Sequence, residues 1–389
     1  MTLSIVLQFV VVLAAIWMGS RYSGVGLGLW GAVGLLVLAV AFGVAPTSPP
    51  IDVMLIILAV IMAASVMDAA GGIDFLVRIA ERIIRANPKY VTIVAPLTTW
   101  SFTFVAGTGH IVYPLLPVIY ETAHQSGIRP ERPMAVATIA SQQAITASPV
   151  AAATAAMIGL FAEKGITQWG LPEILMICVP ATLTGVVAAA IVSMFVGKDL
   201  KDDPEYQARL KAGQIPAPKT QDDEREPLKP SAKPSAYLFL CGVALVVFFG
   251  FFPQFRQLPG AKAPLAMPIV IEIIMMAVAA IMLLITRVNV DEIPKTATLR
   301  AGVVAVIGIF GLAWLGDSFI AAHKDVIVPA IGDWAKAAPW TFAFGLFFAS
   351  VLLYSQAATT RALMPLGIAL GIPPQFLIAM FPSVNGYFF

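Results

Sequence analysis

The sequence predicts an all-α polytopic membrane protein: an inverted-topology repeat with two re-entrant hairpins and broken helices. Three observations predict it. The chain is 59% hydrophobic and 12% charged, with a mean hydropathy of +0.87, whereas a soluble domain is about a quarter charged. Apolar runs of about 20 residues, long enough to cross a hydrocarbon core, recur along its 389 residues. Breaks carrying Gly, Pro and hydroxyl residues interrupt apolar runs twice in each half of the chain.

Composition also limits function. A net charge of +2 is too small to point to a nucleic-acid partner. Cys178 and Cys241 each lie in an apolar run, so they read as helix-packing residues and not as a disulfide framework or CxxC metal site. The N-terminal "MTLSIVLQFVVVLAAIWMGSRYSG" has no basic n-region and reads as the first membrane helix, not a cleaved signal.

Spans are expected at 3–19, 24–45 and 52–70. Ile73, Leu76, Val77, Ala80, Ile83 and Ile84 then recur at helical spacing, with Arg78, Arg82 and Arg85 on another face. This predicts an amphipathic, interfacial helix ending at Asn87-Pro88. Residues 90–106 and 111–124 are half-length apolar pieces flanking "GTGH", and 133–163 is a span interrupted at "TASP". A full span follows at 169–196, then a charged, Pro-rich linker over 197–234. Later spans are expected at 236–253, 267–286 and 300–318, followed by an interfacial stretch near 318–339. The short pieces 340–354 and 362–371 flank "YSQAATTR", and a final piece, 374–389, contains "FPSVNGYFF".

Lys and Arg near span ends mark the cytoplasmic side. Arg78, Arg82, Arg85 and Lys89, and the basic residues of the linker, place both segments there and the N-terminus in the periplasm. Alternation then requires 90–124 to be a hairpin whose ends lie on one side. Both halves share one order of parts: three spans, an interfacial helix, a hairpin, a broken span. Residues 1–196 and 235–389 therefore read as two inverted repeats, with hairpins at 90–124 and 340–371. By the same comparison the second repeat is C-terminally incomplete, short by roughly 50 residues.

Unwound backbone at bilayer depth survives only where protein buries it or where it lines a wet cavity. Half-helix N-termini converging there would bind carboxylates through free N–H groups, and exposed carbonyls could hold a cation. The candidate substrate-binding residues are Gly107, Thr108, Gly109, His110, Ser148, Pro149, Ser355, Gln356, Thr359, Arg361, Ser383 and Asn385. Ser141, Gln142, Gln143, Thr146 and Thr360 add nearby donors. A small dicarboxylate, one carboxylate per tip, fits the pairing. The carbonyls near Thr108 and Ser355 offer the alternative of a Na⁺ site. Arg361 either clamps a carboxylate or snorkels to an interface. His110 either binds substrate or proton or holds a carbonyl. Asp68 and Asp317 read as interfacial, and Glu121 as a structural partner of His124 or Gln125.

The stretch "PPIDVMLIILAVIMAASVMDAAGGIDFLVRIAERIIRANPKYVTIVAP", followed by "GTGHIVYPLLPVIYETAHQSGIRPERPMAVATIASQQAITASPVAAA", strongly resembles the anaerobic C4-dicarboxylate transporter (Dcu) family. "SQAATTRALMPLGIALGIPPQFLIAMFPSVNGYFF" resembles that family's second hairpin and the start of its last broken span. Two differences are visible: Tyr354 stands where the family usually has asparagine, and the family continues past "NGYFF". The resemblance implies an ion-transporter-like fold. It also implies secondary transport of fumarate, succinate, malate and aspartate across the bacterial inner membrane in anaerobic metabolism, by uptake, antiport or exchange. Coupling to Na⁺ or H⁺ varies across the family.

No P-loop is present to couple ATP hydrolysis. His110, His124 and His323 lack ligand spacing and no nucleophile–base constellation occurs, so an enzyme, a cofactor or a bound metal is not expected. The competing readings are an ion channel or Na⁺/H⁺ antiporter, and an inactive truncated transporter. The expected partners are small C4-dicarboxylates and the bilayer. An elevator-like scaffold is also compatible with a homodimer.

Overall fold

The computed structural model describes residues 3–22, 24–214, 227–261, 263–353 and 355–386. Tyr354, linker residues 215–226 and the end of the last motif at 387–389 lie outside the described residues. Everything regular among the described residues is helical, and seven helices are long and apolar enough to cross a membrane.

The first half opens with α1 (Leu3–Tyr22), α2 (Gly26–Phe42) and α3 (Ile51–Ala69). α1 and α2 expose Leu7, Phe9, Val10, Leu29 and Leu36, the surface that a bilayer covers at no cost. Gly71, at φ +84°, turns the chain into α4 (Gly72–Ala86), since only glycine takes this left-handed conformation without strain. α4 is the expected amphipathic helix. It buries Phe75, Leu76, Ala80 and Ile84 and stops one residue before Asn87-Pro88.

α5 (Val91–Ala106) ends at Gly107. The 3-10 turn Gly109–Leu115 and α6 (Leu116–Gln125) bring the chain back. Arg85, at the end of α4, pairs with Glu121 of α6 at 2.8 Å, so the hairpin closes on the side where it began. α7 (Glu131–Ala147) and α8 (Ala152–Glu163) are the broken span, separated by Ser148–Ala151. This span is the most enclosed of the seven. α9 (Leu171–Met194) completes the half.

The linker begins with order. Asp203 caps α10 (Pro204–Lys211), which folds back against the hairpin end. Arg129 pairs with Asp203, Arg132 with Asp199 at 2.6 Å, and His124 Nε2 meets the Tyr206 hydroxyl at 2.6 Å.

The second half contains α11 (Ala232–Phe251), α12 (Met267–Thr286) and α13 (Ala297–Gly308). A π turn, Ile309–Ala313, joins α13 to α14 (Trp314–Ala337). The stretch read as interfacial is helical to Ala337 and continuous with α13 through this turn. The π turn absorbs the extra residue and the helix persists through Pro329. The turn seats on α2 backbone to backbone. A Cβ on Gly311 would lie 1.7 Å from the Gly28 carbonyl oxygen, and one on Gly28 would lie 2.0 Å from that of Ile307.

α15 (Phe342–Leu353) and α16 (Gln356–Ala369) form the second hairpin, and α17 (Pro374–Met380) leads into a 3-10 turn ending at Val384. A Cβ on Gly367 would meet the Phe342 ring at 3.0 Å, so the ends of this hairpin also lie together. The break is narrower than "YSQAATTR" suggests. Ser355 is extended and caps the helix, and Gln356 to Arg361 are already helical. Thr359 and Thr360 return their hydroxyls to the carbonyls of Ser355 and Gln356 at 2.7 and 2.8 Å, which satisfies both hydroxyls within the buried helix.

Candidate functional site

The first hairpin tip is held by three local devices. Gly107 adopts φ +70°, and a Cβ there would lie 2.7 Å from the Val150 carbonyl oxygen. The tip therefore lies directly on the break of the neighbouring span. The Thr108 hydroxyl accepts the His110 N–H at 3.4 Å. The Gly109 carbonyl accepts from the Ser141 hydroxyl at 3.3 Å, and Ser141 bonds Thr103 of α5 at 2.7 Å. His110 itself is exposed, with its ring 5.9 Å from that of Tyr113.

Ser148 and Pro149 are buried in the break between α7 and α8. The Ser148 hydroxyl accepts the Val150 N–H at 3.3 Å, and Thr154 of α8 donates back to the Ile145 carbonyl at 3.2 Å. Ala151, the residue before α8, supplies no side-chain cap. The first N–H groups of that half-helix are therefore open to an acceptor.

The second tip arrives from the other direction. Ser355 caps α16 by accepting the Ala358 N–H at 3.2 Å. The Gln356 amide donates to the Gln142 main-chain carbonyl at 3.0 Å and to the Asn385 side chain. Asn385 in turn donates to the Pro382 carbonyl at 3.1 Å. Gly386 packs on the first arm of its own hairpin, donating to the Ser350 hydroxyl at 2.6 Å. Gln142 faces the first tip too: a Cβ on Gly109 would lie 2.9 Å from its Nε2. Both tips and both broken elements therefore meet around Gln142. A 320 Å³ cavity adjoins this junction, lined by Gln143, Thr182, Gly185, Ala379 and Pro382 among others.

The structure thus gathers Gly107, Thr108, Gly109, Ser148 and Pro149 on one side and Ser355, Gln356 and Asn385 on the other. Ser383 is half-buried nearby. Thr359 spends its hydroxyl on its own helix. The carbonyls of Gly109 and Ser355 each already accept a hydroxyl.

Arg361 is apart from this junction. It is 1% exposed and bonds Glu163 of α8 at 2.9 Å and Asp317 of α14 at 3.2 Å. Its guanidinium is held by these two carboxylates inside the protein, and Asp317 is half-buried. Glu163 and Asp317 also line a 610 Å³ cavity with Thr47, Ser48, Asp52, Lys164 and Lys324. Sequence reasoning passed over Glu163, because "EKG" closing a span reads as an ordinary polar stop. The only signal for it was the cost of leaving Arg361 unpaired in an apolar helix.

Of the remaining sequence expectations, Glu121 does bond Gln125, at 3.4 Å, besides Arg85. Asp68 accepts from Thr298 at 2.8 Å. Cys178 is a buried packing residue and Cys241 is exposed, both as free thiols. No His/Cys/Asp/Glu group among the described residues has the arrangement of a metal site.

Paired hairpins whose broken ends meet inside a bundle of membrane-length helices are an architecture of secondary transporters. The comparisons with known proteins agree. The family described as anaerobic C4-dicarboxylate membrane transporter matches residues 4–389, and the chain belongs to it. It is 39% identical over 389 residues to the C4-dicarboxylate transporter DcuA of Wolinella succinogenes, covering 99% of this chain and 87% of the relative. DcuA of Escherichia coli (strain K12) is 41% identical over 385 residues, with 99% and 87% covered. The anaerobic C4-dicarboxylate transporter DcuB of Escherichia coli O6:H1 is 36% identical over 387 residues, with 98% and 86% covered. Among solved structures, the Alcanivorax borkumensis YdaH transporter shares the fold, with a TM-score of 0.54 at 13% identity, covering 91% of this chain and 78% of that one.

Proposed function

We propose that this protein is a secondary carrier of C4-dicarboxylates, taking fumarate, succinate, malate and aspartate by uptake, antiport or exchange. Family membership supports the substrate class. The observation that carries the site is the junction at Gln142, where Gly109 of one tip and Gln356 of the other approach the same residue. A dianion needs two poles of positive potential. The uncapped start of α8 and the start of α16 supply N–H groups, and Gln142 and Gln143 carry side-chain amides at the same place.

In this reading residues 1–196 and 235–389 are two inverted repeats. The hairpins and broken spans form a body that carries substrate past a scaffold of the long spans, giving alternating access. The excess of Lys and Arg around α4 and in the linker puts the linker in the cytoplasm and the N-terminus in the periplasm of a bacterial inner membrane. A homodimer joined through the scaffold suits such a cycle. Na⁺ or H⁺ is the coupling ion.

The test is exchange of labelled succinate, fumarate and aspartate in proteoliposomes preloaded with succinate, with and without a Na⁺ gradient. Saturable exchange, reduced in Thr108→Ala, Ser148→Ala and Ser355→Ala, is the expected result. A Na⁺ flux indifferent to succinate would point to an ion channel or antiporter. No exchange by folded, monodisperse protein would leave a non-transporting chain.

A further inference from the structure

Arg361, Glu163 and Asp317 belong to three different elements. Arg361 lies on the second hairpin, Glu163 at the end of the broken span, and Asp317 on the long α13–α14 helix. Arg361 is 1% exposed, while the Glu163 and Asp317 side chains keep 27% and 12% exposure, and the desolvation of the buried guanidinium offsets much of the attraction. The triad is also incompletely satisfied: Asp317 Oδ1 and Arg361 Nε are buried with no hydrogen-bond partner. Half-satisfied networks are worse than apolar packing, so stability does not account for it.

Position does. Asp317 follows one turn after the π turn that seats on α2, so its carboxylate is fixed to the α2–α14 unit. Arg361 is fixed to the hairpin. Glu163 and Asp317 border the 610 Å³ cavity, whereas Arg361 does not. If the Arg361–Asp317 pair parts, the carboxylate can be hydrated from the cavity while Glu163 still compensates the arginine.

We propose that Arg361–Asp317 is a latch that holds the second hairpin to the α2–α14 unit in the conformation seen here. Glu163 is the positioning residue that keeps Arg361 neutralised when the latch opens. This rests on the carrier reading in one respect only, that the hairpin moves relative to the long spans.

The experiment uses full-length protein with Cys241→Ser, which removes the exposed thiol, and Ile368→Cys, which places one on the α16 wall of the cavity. Maleimide labelling of residue 368 in proteoliposomes, without substrate, reads how far the hairpin stands from α14. Asp317→Asn should raise the labelling rate about tenfold, within the usual range for coupling between two conformations. Asp317→Glu should restore it to near the parental rate, and Glu163→Gln should leave it there. Parental labelling in Asp317→Asn would overturn the latch, as would an equal increase in Glu163→Gln. If Asp317→Asn is not monodisperse, Asp317→Asn/Arg361→Gln, which removes both charges, must label fast, and slow labelling overturns the proposal. Labelling requires no cargo. A parent that labels as expected but fails to exchange succinate would therefore count against the transport reading alone.

Discussion

The Gln356 side-chain amide donates to the main-chain carbonyl of Gln142 at 3.0 Å, across a sequence separation of 214 residues. A helix-interior carbonyl normally accepts only from its own helix. Here it takes a second donor from the tip of the other half's hairpin. One residue of α7 thus reports the position of the second tip to the first.

Gln356→Leu keeps the side-chain volume and removes that donor. Losing a buried hydrogen bond of this kind costs about 1–3 kcal/mol, so exchange should fall by about ten- to a hundredfold in kcat/KM. The melting temperature should move only a few degrees. A radiotracer exchange assay alongside a thermal melt in detergent separates the two. Full exchange in the variant would remove Gln356 from the site.

The two glycines of the first tip should respond unequally to alanine. At Gly107 the backbone is left-handed and the Cβ would strike the fixed carbonyl of Val150 at 2.7 Å. At Gly109 it would meet the end of the flexible Gln142 side chain at 2.9 Å. Gly107→Ala should therefore lose about 1–3 kcal/mol of stability. Gly109→Ala should fold nearly normally and weaken substrate affinity by shifting Gln142. Unfolding in graded denaturant, paired with substrate titration, checks the split.

Acidification should loosen the α10 dock. Burial holds the His124 imidazole below its ordinary value of 6.5, and its Nε2 meets the Tyr206 hydroxyl. A histidine with a depressed folded-state pKa contributes fully above its unfolded value, and that contribution is lost as pH falls through the lower folded one. Asp203 is held below the ordinary carboxylate value, chiefly by the Tyr206 N–H, with Arg129 adding to it. It stays ionised over this range. Amide exchange in Pro204–Lys211, corrected for intrinsic rate, should speed up between about pH 7 and pH 5.5. Tyr206→Phe should flatten that dependence.

Arg361→Met leaves two carboxylates facing one another without their cation. The Asp317 and Glu163 side chains keep 12% and 27% exposure, so the loss should fall below the ~3–5 kcal/mol of a fully buried pair. The triple variant Arg361→Met/Glu163→Gln/Asp317→Asn should recover most of that loss. Chemical denaturation of both proteins gives the comparison, and a triple variant as unstable as the single one would contradict it.

The parts of this fold set by local chemistry were readable from the chain. Gly107 marks its break because glycine alone takes a left-handed backbone without strain, Pro149 marks the next because it lacks an N–H and biases Ser148 to extended backbone, and α4 announces itself by its periodic apolar face. The tips were recognisable as breaks for the same reason. What escaped was set by contact across the chain. "QAATTR" looks like a break by composition, yet Ser355 caps a helix that begins at Gln356, and the threonine hydroxyls are satisfied within it. The partners of Arg361 and Asp317 were not legible, because a charge in an apolar run does not name the charge that meets it. Their pairing depends on α16 packing between α8 and α14, which no local pattern encodes.

The contact between Gly28 and Gly311 has a mechanical meaning. Two helices separated by side chains can slip past each other by small rotamer changes, because each side chain is a soft spacer. Here the spacer is absent and the carbonyl of one glycine occupies the space that any larger residue at the other would need. The two helices are keyed at a single register, as a shaft is keyed to a wheel. A step of one residue along either axis would bring Leu27, Leu29, Phe310 or Leu312 into a gap that has no room for a methyl group. Whatever shear the bundle performs must therefore pass around this joint.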